Sequence, residues 1–289
     1  MTILLQNLMF GLLIGGLYGL AAVGLSLVFG VLRVLNVAHG DLIMLGGYAT
    51  FWLFAWWGID PFLAAVVSAL LLFGVGVVLY QGAFRPLAAF HEEARVKTSI
   101  LVGFGLALAL HSAAILAWEA DERAVTAYAG QVLPVGPVVV PLARLGGFVA
   151  AVVTLGGLHL FLTRTRTGRA IRATAEDREA AMLMGVPVGR IFVVAFGLGS
   201  ALAGVAGSLV TLADAISPAI GLFWTLKALI VVVLGGMGHI LGTFVAGLFL
   251  GVAEALSGFL AGNVYREVVG LVLFLLVLTL RPEGLFARR

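Results

Sequence analysis

The feature that most limits what this chain can fold into is a series of apolar runs, each about 17 to 25 residues long and divided by short polar stretches. The runs cover residues 4–29, 41–57, 62–80, 98–118, 146–162, 191–212 and 264–280, with a nearly continuous apolar stretch at 217–257. A helix of that length crosses roughly 30 Å of hydrocarbon. Within lipid no water completes the backbone hydrogen bonds, so only helices and closed barrels can span it. The strict alternation of a barrel strand is absent, which excludes the barrel. Only 11% of the 289 residues are charged, against about 25% in a soluble domain. The expected fold is therefore all-α: a polytopic helical membrane protein, read as one transmembrane domain over residues 1–289, with lipid as its solvent.

Glycine accounts for 39 positions. In the first run Gly11, Gly15 and Gly19 fall four apart on one helix face, where small residues let two helices approach closely. No cysteine is present, so neither a disulfide nor a thiolate metal site is available. The opening MTILLQNLMF lacks the basic leader of a signal peptide and is expected to be retained. The basic residues sit mainly in loops and leave no nucleic-acid footprint.

The longest polar interval is Arg164–Arg190, which holds six of the seventeen Lys and Arg residues. Basic residues flanking spans remain in the cytoplasm, so this interval orients the chain. It reads as a helix capped at Thr167 and stopped by Gly185 and Pro187. Placing the turn at Arg33, the interval from Arg85 to Lys97, Arg164–Arg190 and the tail (Arg281, Arg288, Arg289) on the cytoplasmic side collects thirteen of the seventeen basic residues there. The expected topology has an outside N-terminus and a cytoplasmic C-terminus. Residues 217–257 must then cross twice or dip in and return. Proline and valine in QVLPVGPVVVP predict an extended, strand-like loop.

Two polar, Gly-rich breaks interrupt the apolar pattern, at Asn36–Gly47 and Gly235–Gly247. Their likeness points to two weakly related halves that enter the membrane from opposite sides, with interrupted helices around a central site. On this reading Asn36, His39 and Gly40 line the substrate path from one side, and Gly235, Gly236 and Gly238 from the other. Asn36 and His39 are alternatively helix caps. The ionisable groups inside the spans, His111, His159, Lys227 and Glu254, are too sparse for a proton relay, although intramembrane charge marks function by default. His111 reads as a hydrogen-bonded interior histidine. No nucleotide-binding or hydrolytic motif appears, so the chain is not read as an enzyme, and any ATPase must be a separate subunit.

Glu179-Ala180-Ala181 followed by Gly185 resembles the EAA loop of bacterial ABC importer permeases. It is accompanied by GLYGLAAVGLSLVFGVLRVLNVAHGDLIMLGGY from Gly16, TGRAIRATAEDREAAMLMGV from Thr167, LKALIVVVLGGMGHILGTFVAGL from Leu226 and LRPEGLF from Leu280. Together these segments resemble the LivH type of branched-chain amino-acid permease along essentially the whole chain. The resemblance implies an inner-membrane importer for leucine, isoleucine and valine, with urea or short-chain amides as the alternative ligands; the rival class is an ATP-independent secondary transporter or channel, which has no use for a cytoplasmic EAA helix. It also implies a LivM-like second permease, two ABC ATPase subunits and a periplasmic substrate-binding protein, with no cofactor or metal in this chain. Arg178, Glu179, Ala180, Ala181, Met184 and Gly185 would couple to the ATPase. Ala180, Ala181 and Met184 are expected on its docking face, with Arg178 at the rim.

Overall fold

The computed structural model describes residues 2–136, 138–262, 264–281 and 283–286. Arg288 and Arg289 of the expected basic tail lie outside the described residues. The chain forms α1 (Thr2–Leu32), α2 (His39–Trp57), α3 (Pro61–Leu79), α4 (Glu92–Trp118), a β1–β2 hairpin (Val132–Val135 and Val138–Pro141), α5 (Leu142–Arg164), α6 (Arg166–Glu176), α7 (Arg178–Leu183), α8 (Val188–Ala213), α9 (Ile220–Gly235), α10 (Ile240–Ala261) and α11 (Tyr265–Leu280). Six helical stretches, including α1, α4, α5, α8 and α10, are long and apolar enough to cross a membrane. The centre is α1 and α8: 89% of the apolar window of α1 is buried, against 11% for α4 at the periphery.

Small residues set the packing at that centre. Gly11, Gly15 and Gly19 of α1 lie against Gly251, Gly247 and Phe244 of α10, which therefore runs antiparallel to α1. Ser68, Leu72 and Gly76 of α3 meet Gly204 and Ser200 of α8 in the same antiparallel sense. These two contacts are counterparts. Helices α1 to α4 match α8 to α11 in order, with opposite starting ends, as inverted repeats do. The sequence echo assigned the repeat to the wrong breaks, however. The segment between α1 and α2 corresponds to residues 214–219 between α8 and α9. The glycines at 235–238 instead form the hairpin turn between α9 and α10, the counterpart of the Gly58–Asp60 turn between α2 and α3. In that latter turn Gly58 adopts a left-handed φ of 61° and the Asp60 carboxylate accepts from Phe62 N at 2.9 Å.

Nine helical legs (α1–α5 and α8–α11) run through the bundle among the described residues; residues 217–257 form two of them, α9 of 16 residues and α10 of 22, of which α10 is long and apolar enough to cross a membrane. The first and last described segments lie at opposite ends of the bundle. At the amino end Gln6 exchanges two hydrogen bonds with Val139 of the hairpin, at 2.6 and 3.0 Å. At the carboxyl end Leu285 N donates to Leu234 O. The valine-rich loop is the antiparallel hairpin its composition predicts. The expected polar loop after residue 80 is much shorter than its charges suggest. The helix continues past α3 as one π turn and a 3₁₀ turn to Ala89, and α4 begins at Glu92.

Candidate functional site

Four places carry the chemistry: each of the two breaks, the basic carboxyl end and a cavity at the amino end.

After Leu32 the chain turns through Arg33, whose φ is 53°, and climbs back beside α1 in extended form. Helix α2 starts at His39, whose Nε2 lies 2.8 Å from Ala21 O. Ala21 sits eleven residues before the end of α1, about 16 Å along its axis, so α2 begins partway into the bundle. Extended backbone at that depth needs partners, and three side chains supply them. Ser99 Oγ accepts from Leu35 N at 2.9 Å, Asn36 Oδ1 accepts from Ala38 N at 3.1 Å, and Thr225 Oγ1 accepts from Gly40 N while donating to Val37 O, both at 2.9 Å. Asn36 therefore closes a local turn just ahead of α2, whose N-cap, Ala38, receives no side-chain bond, and His39 is held against α1. A Cβ at Gly40 would stand 1.9 Å from Gly221 O, so this glycine exists for the crossing of α2 with α9.

The second expected group does not join the first. Gly235 follows Thr225 by ten residues of helix, about 15 Å, and a Cβ there would meet Thr243 at 2.4 Å. Gly236 and Gly238 turn α9 into α10 with φ of 92° and 88°. Gly238 packs on Gly30, and Gly238 N donates to Ser26 Oγ at 3.2 Å. His239 Nδ1 accepts from Gly242 N at 2.8 Å and so caps α10. The polar half-break at residues 214–219 is held by Arg123, which pairs backbone to backbone with Ile216, and by His111, whose Nδ1 lies 3.1 Å from Pro218 O. His111 is thus the hydrogen-bonded histidine expected.

At the carboxyl end Arg95 is buried and donates to Leu32 O at 3.3 Å and Phe90 O at 2.9 Å, closing the end of α1. Arg33 pairs with Glu92 at 3.7 Å. The Arg164–Arg190 interval is two helices rather than one. Thr165, not Thr167, caps α6 by accepting from Gly168 N at 2.9 Å. Asp177, with extended φ and ψ, separates α6 from α7 and caps the latter, its Oδ1 accepting from Glu179 N and Ala180 N. Gly185 ends the turn with a φ of 80°. The expected docking face is split. Ala181 points into the chain's own bundle at 4% exposure, while Ala180 is exposed and Leu183 and Met184 stand out at 88% and 85%. Arg178 stacks its guanidinium 5.2 Å from the centre of the Phe192 ring and reaches toward Ala88 O, fastening α7 to α8 and to the 3₁₀ turn beyond α3. The short helix stands between two clefts of about 900 and 700 Å³.

Sequence reasoning noted Lys227 and Glu254 separately but not together. They lie on α9 and α10 with Nζ 2.5 Å from Oε1, both buried. Tyr18 of α1 donates its hydroxyl to Glu254 Oε2 at 3.0 Å. The Lys227 ammonium also lies 5.5 and 5.3 Å from the centres of the Tyr18 and Phe223 rings. This group floors a cavity of about 630 Å³ whose rim, at the amino end, includes the exposed Asp214, Ala215 and Glu267. No spacing rule links residues 27 apart on different helices; two isolated charges inside apolar runs were the only signal.

An inverted-repeat helical bundle with broken helices, a charged cavity at one end and an exposed apolar knob at the other defines a membrane transport protein. The profile described as "Branched-chain amino acid transport system / permease component" matches residues 7–278, and the chain belongs to that family. It is similar to the high-affinity branched-chain amino acid transport system permease protein BraD of Pseudomonas aeruginosa, at 35% identity over 98% of this chain and 96% of the relative. It is likewise similar to the permease proteins named LivH of Salmonella typhimurium and of Escherichia coli, each at 30% identity over 98% of this chain and 96% of the relative. No solved structure matches the chain.

Proposed function

We propose that this chain is the membrane-spanning permease of an ATP-driven importer for leucine, isoleucine and valine, working with a LivM-like second permease, two ABC ATPase subunits and a periplasmic binding protein. One observation carries the coupling half of the reading. Met182, Leu183 and Met184 form an apolar tip on a helix that Asp177 caps and that Arg178 and the buried Ala181 fix to the bundle. Flexible methionines and an exposed leucine suit insertion into a groove of a soluble partner, and Glu179 and Ala180 flank the tip on the exposed side. Gly185 turns the chain back toward α8. Asn36, His39, Gly40, Gly235, Gly236 and Gly238 serve the path by fixing where α2 and α9 begin and where α10 starts, rather than by touching substrate.

Substitution at Ala181 cannot test the coupling role, because its side chain faces inward. Leu183→Asp leaves the bundle's own packing intact. It is expected to cut ATPase co-purification and substrate-stimulated ATP hydrolysis at least about tenfold, the scale of an interface hot spot. Normal stimulation by Leu183→Asp/Met184→Asp would remove α7 as the coupling element.

The carboxyl end, with Arg33, Arg85, Arg95, Lys97, the Arg164–Arg190 group and Arg281, faces the cytoplasm on this reading. A single cysteine in place of exposed Glu122 at the amino end should react with an impermeant thiol reagent in intact cells. One in place of exposed Glu93 should react only after permeabilisation. The reverse pattern would invert the orientation and with it the import reading.

A further inference from the structure

Among the described residues the Lys227–Glu254 pair is the one ion pair with both partners buried, and it holds neither a break nor a helix end. Its position is costly: two ions are withdrawn from water, and apolar residues of similar volume would pack there at no loss of stability. The surroundings differ from those of a purely structural pair. Glu254 uses one oxygen for Lys227 and the other for Tyr18. Lys227 has three N–H donors, and among the described residues Glu254 is its one hydrogen-bonding partner, the remaining donors lying toward aromatic faces and the cavity. Trp224 meets Tyr18 edge-on at 5.7 Å, so an ammonium, a carboxylate and three aromatic rings converge on one open space.

We infer that this cavity is a binding station for a zwitterionic α-amino acid within the permease, at which Lys227 takes the ligand carboxylate, Glu254 takes its ammonium, and Tyr18, Phe223 and Trp224 receive an apolar side chain. The inference rests on the amino-acid transport reading above and deepens it. A zwitterion carries two full charges that the membrane interior penalises. A resident ion pair that opens to admit it exchanges one salt bridge for two, and the site's net charge does not change. Lys227 also has an approach for an incoming carboxylate on the sides that Glu254 does not occupy. Before binding, the closed pair satisfies itself, so the empty station is not an uncompensated charge. A neutral amide offers neither charge and cannot compensate the separated pair. The station thus discriminates amino acids from urea and short amides at the permease itself, after whatever selection occurs in solution.

The test uses the whole complex reconstituted in liposomes, with L-leucine as the probe. Lys227→Met/Glu254→Leu, combined with Tyr18→Phe so that no hydroxyl is left unpaired, replaces the charged group by an apolar one of similar volume. A structural pair predicts an assembled complex with unchanged leucine uptake, and that result overturns the station. The station predicts an assembled complex in which stimulation of ATP hydrolysis by the loaded binding protein persists while uptake falls at least about tenfold. If the triple variant does not assemble, the wild-type charges are probed through Ala215→Cys at the rim, in a chain that has no other cysteine. Slower thiol modification of that residue in saturating leucine, but not in saturating isocaproamide, supports the station; equal rates with and without leucine overturn it. Absence of leucine uptake by the wild-type complex overturns the transport reading itself, and is separable from either result.

Discussion

Gly207→Leu is expected to leave almost no correctly folded protein. A Cβ built on Gly207 falls 1.9 Å from Ile43 O and 2.7 Å from Gly47 N, and both neighbours are backbone of α2. No rotamer change relieves that overlap; α2 and α8 must move apart. Movement there also opens the hydrogen bond from Thr50 to Ser208, at 2.6 Å, which lies on the same interface. Overpacking a core costs about 1–3 kcal/mol when side chains can yield, and here they cannot, so the upper end of that range is the floor. Gly40→Leu should behave alike, since a Cβ built on Gly40 would fall 1.9 Å from the Gly221 carbonyl oxygen of α9. Gly74→Leu is the control: it lies on the exposed side of α3 with nothing within 4 Å of the added carbon. Thermal unfolding of the detergent-extracted protein, followed by size-exclusion elution, separates the three. A Gly207→Leu protein that elutes and unfolds like Gly74→Leu would show that α2 and α8 are not packed backbone to backbone.

The helices themselves were legible because lipid removes the alternatives: a long apolar run has no fold but a helix. The hairpin was legible because proline and valine disfavour helix. What misled was polarity read as a break. LGGMGH at Leu234–His239 and NVAHG at Asn36–Gly40 look alike, yet the first is the hairpin turn that ends α9 and starts α10, and the second the start of the shortened α2. The real counterpart of the second is DAISPA at Asp214–Ala219, whose Pro218 carbonyl is held by His111, a contact spanning 107 residues that no local pattern discloses. The coupling interval shows the same limit on a smaller scale. Helical spacing puts Ala180, Ala181 and Met184 near one another, but Asp177 restarts the helix, and Met184 already lies past its last residue. Which side faces the bundle is then decided by where Arg178 finds Phe192, and Leu183 becomes the most exposed apolar side chain of the knob. Lys227 and Glu254 were visible only as two anomalies, because their pairing depends on how α9 folds back along α10.

Thr225→Val is expected to be the most damaging polar substitution in the bundle, although valine matches threonine in shape. The Thr225 hydroxyl serves two backbone groups of the break at once, accepting from Gly40 N and donating to Val37 O. Valine would strand a donor and an acceptor beside a helix start that water does not reach, since His39, Gly40 and Asp41 are all buried. Each unsatisfied buried group costs about 1–3 kcal/mol, so the variant should lose about 2 kcal/mol or more. The loss should also fall on geometry. With the carbonyl of Val37 released, the extended segment is freed to shift relative to α9, and the start of α2 shifts with it. Thr225→Ser keeps the hydroxyl and should recover most of the stability. Ser99→Ala strands a single group of the break, Leu35 N, its other bond being to Val96 O within its own helix, and should fall between the two. The ordering to be measured is therefore serine at 225 most stable, alanine at 99 intermediate and valine at 225 least, by unfolding midpoint of the detergent-solubilised protein. Equal midpoints for Thr225→Val and Thr225→Ser would mean that water already reaches the break and satisfies its backbone, in which case the interrupted helix borders an aqueous path rather than a sealed joint between α2 and α9.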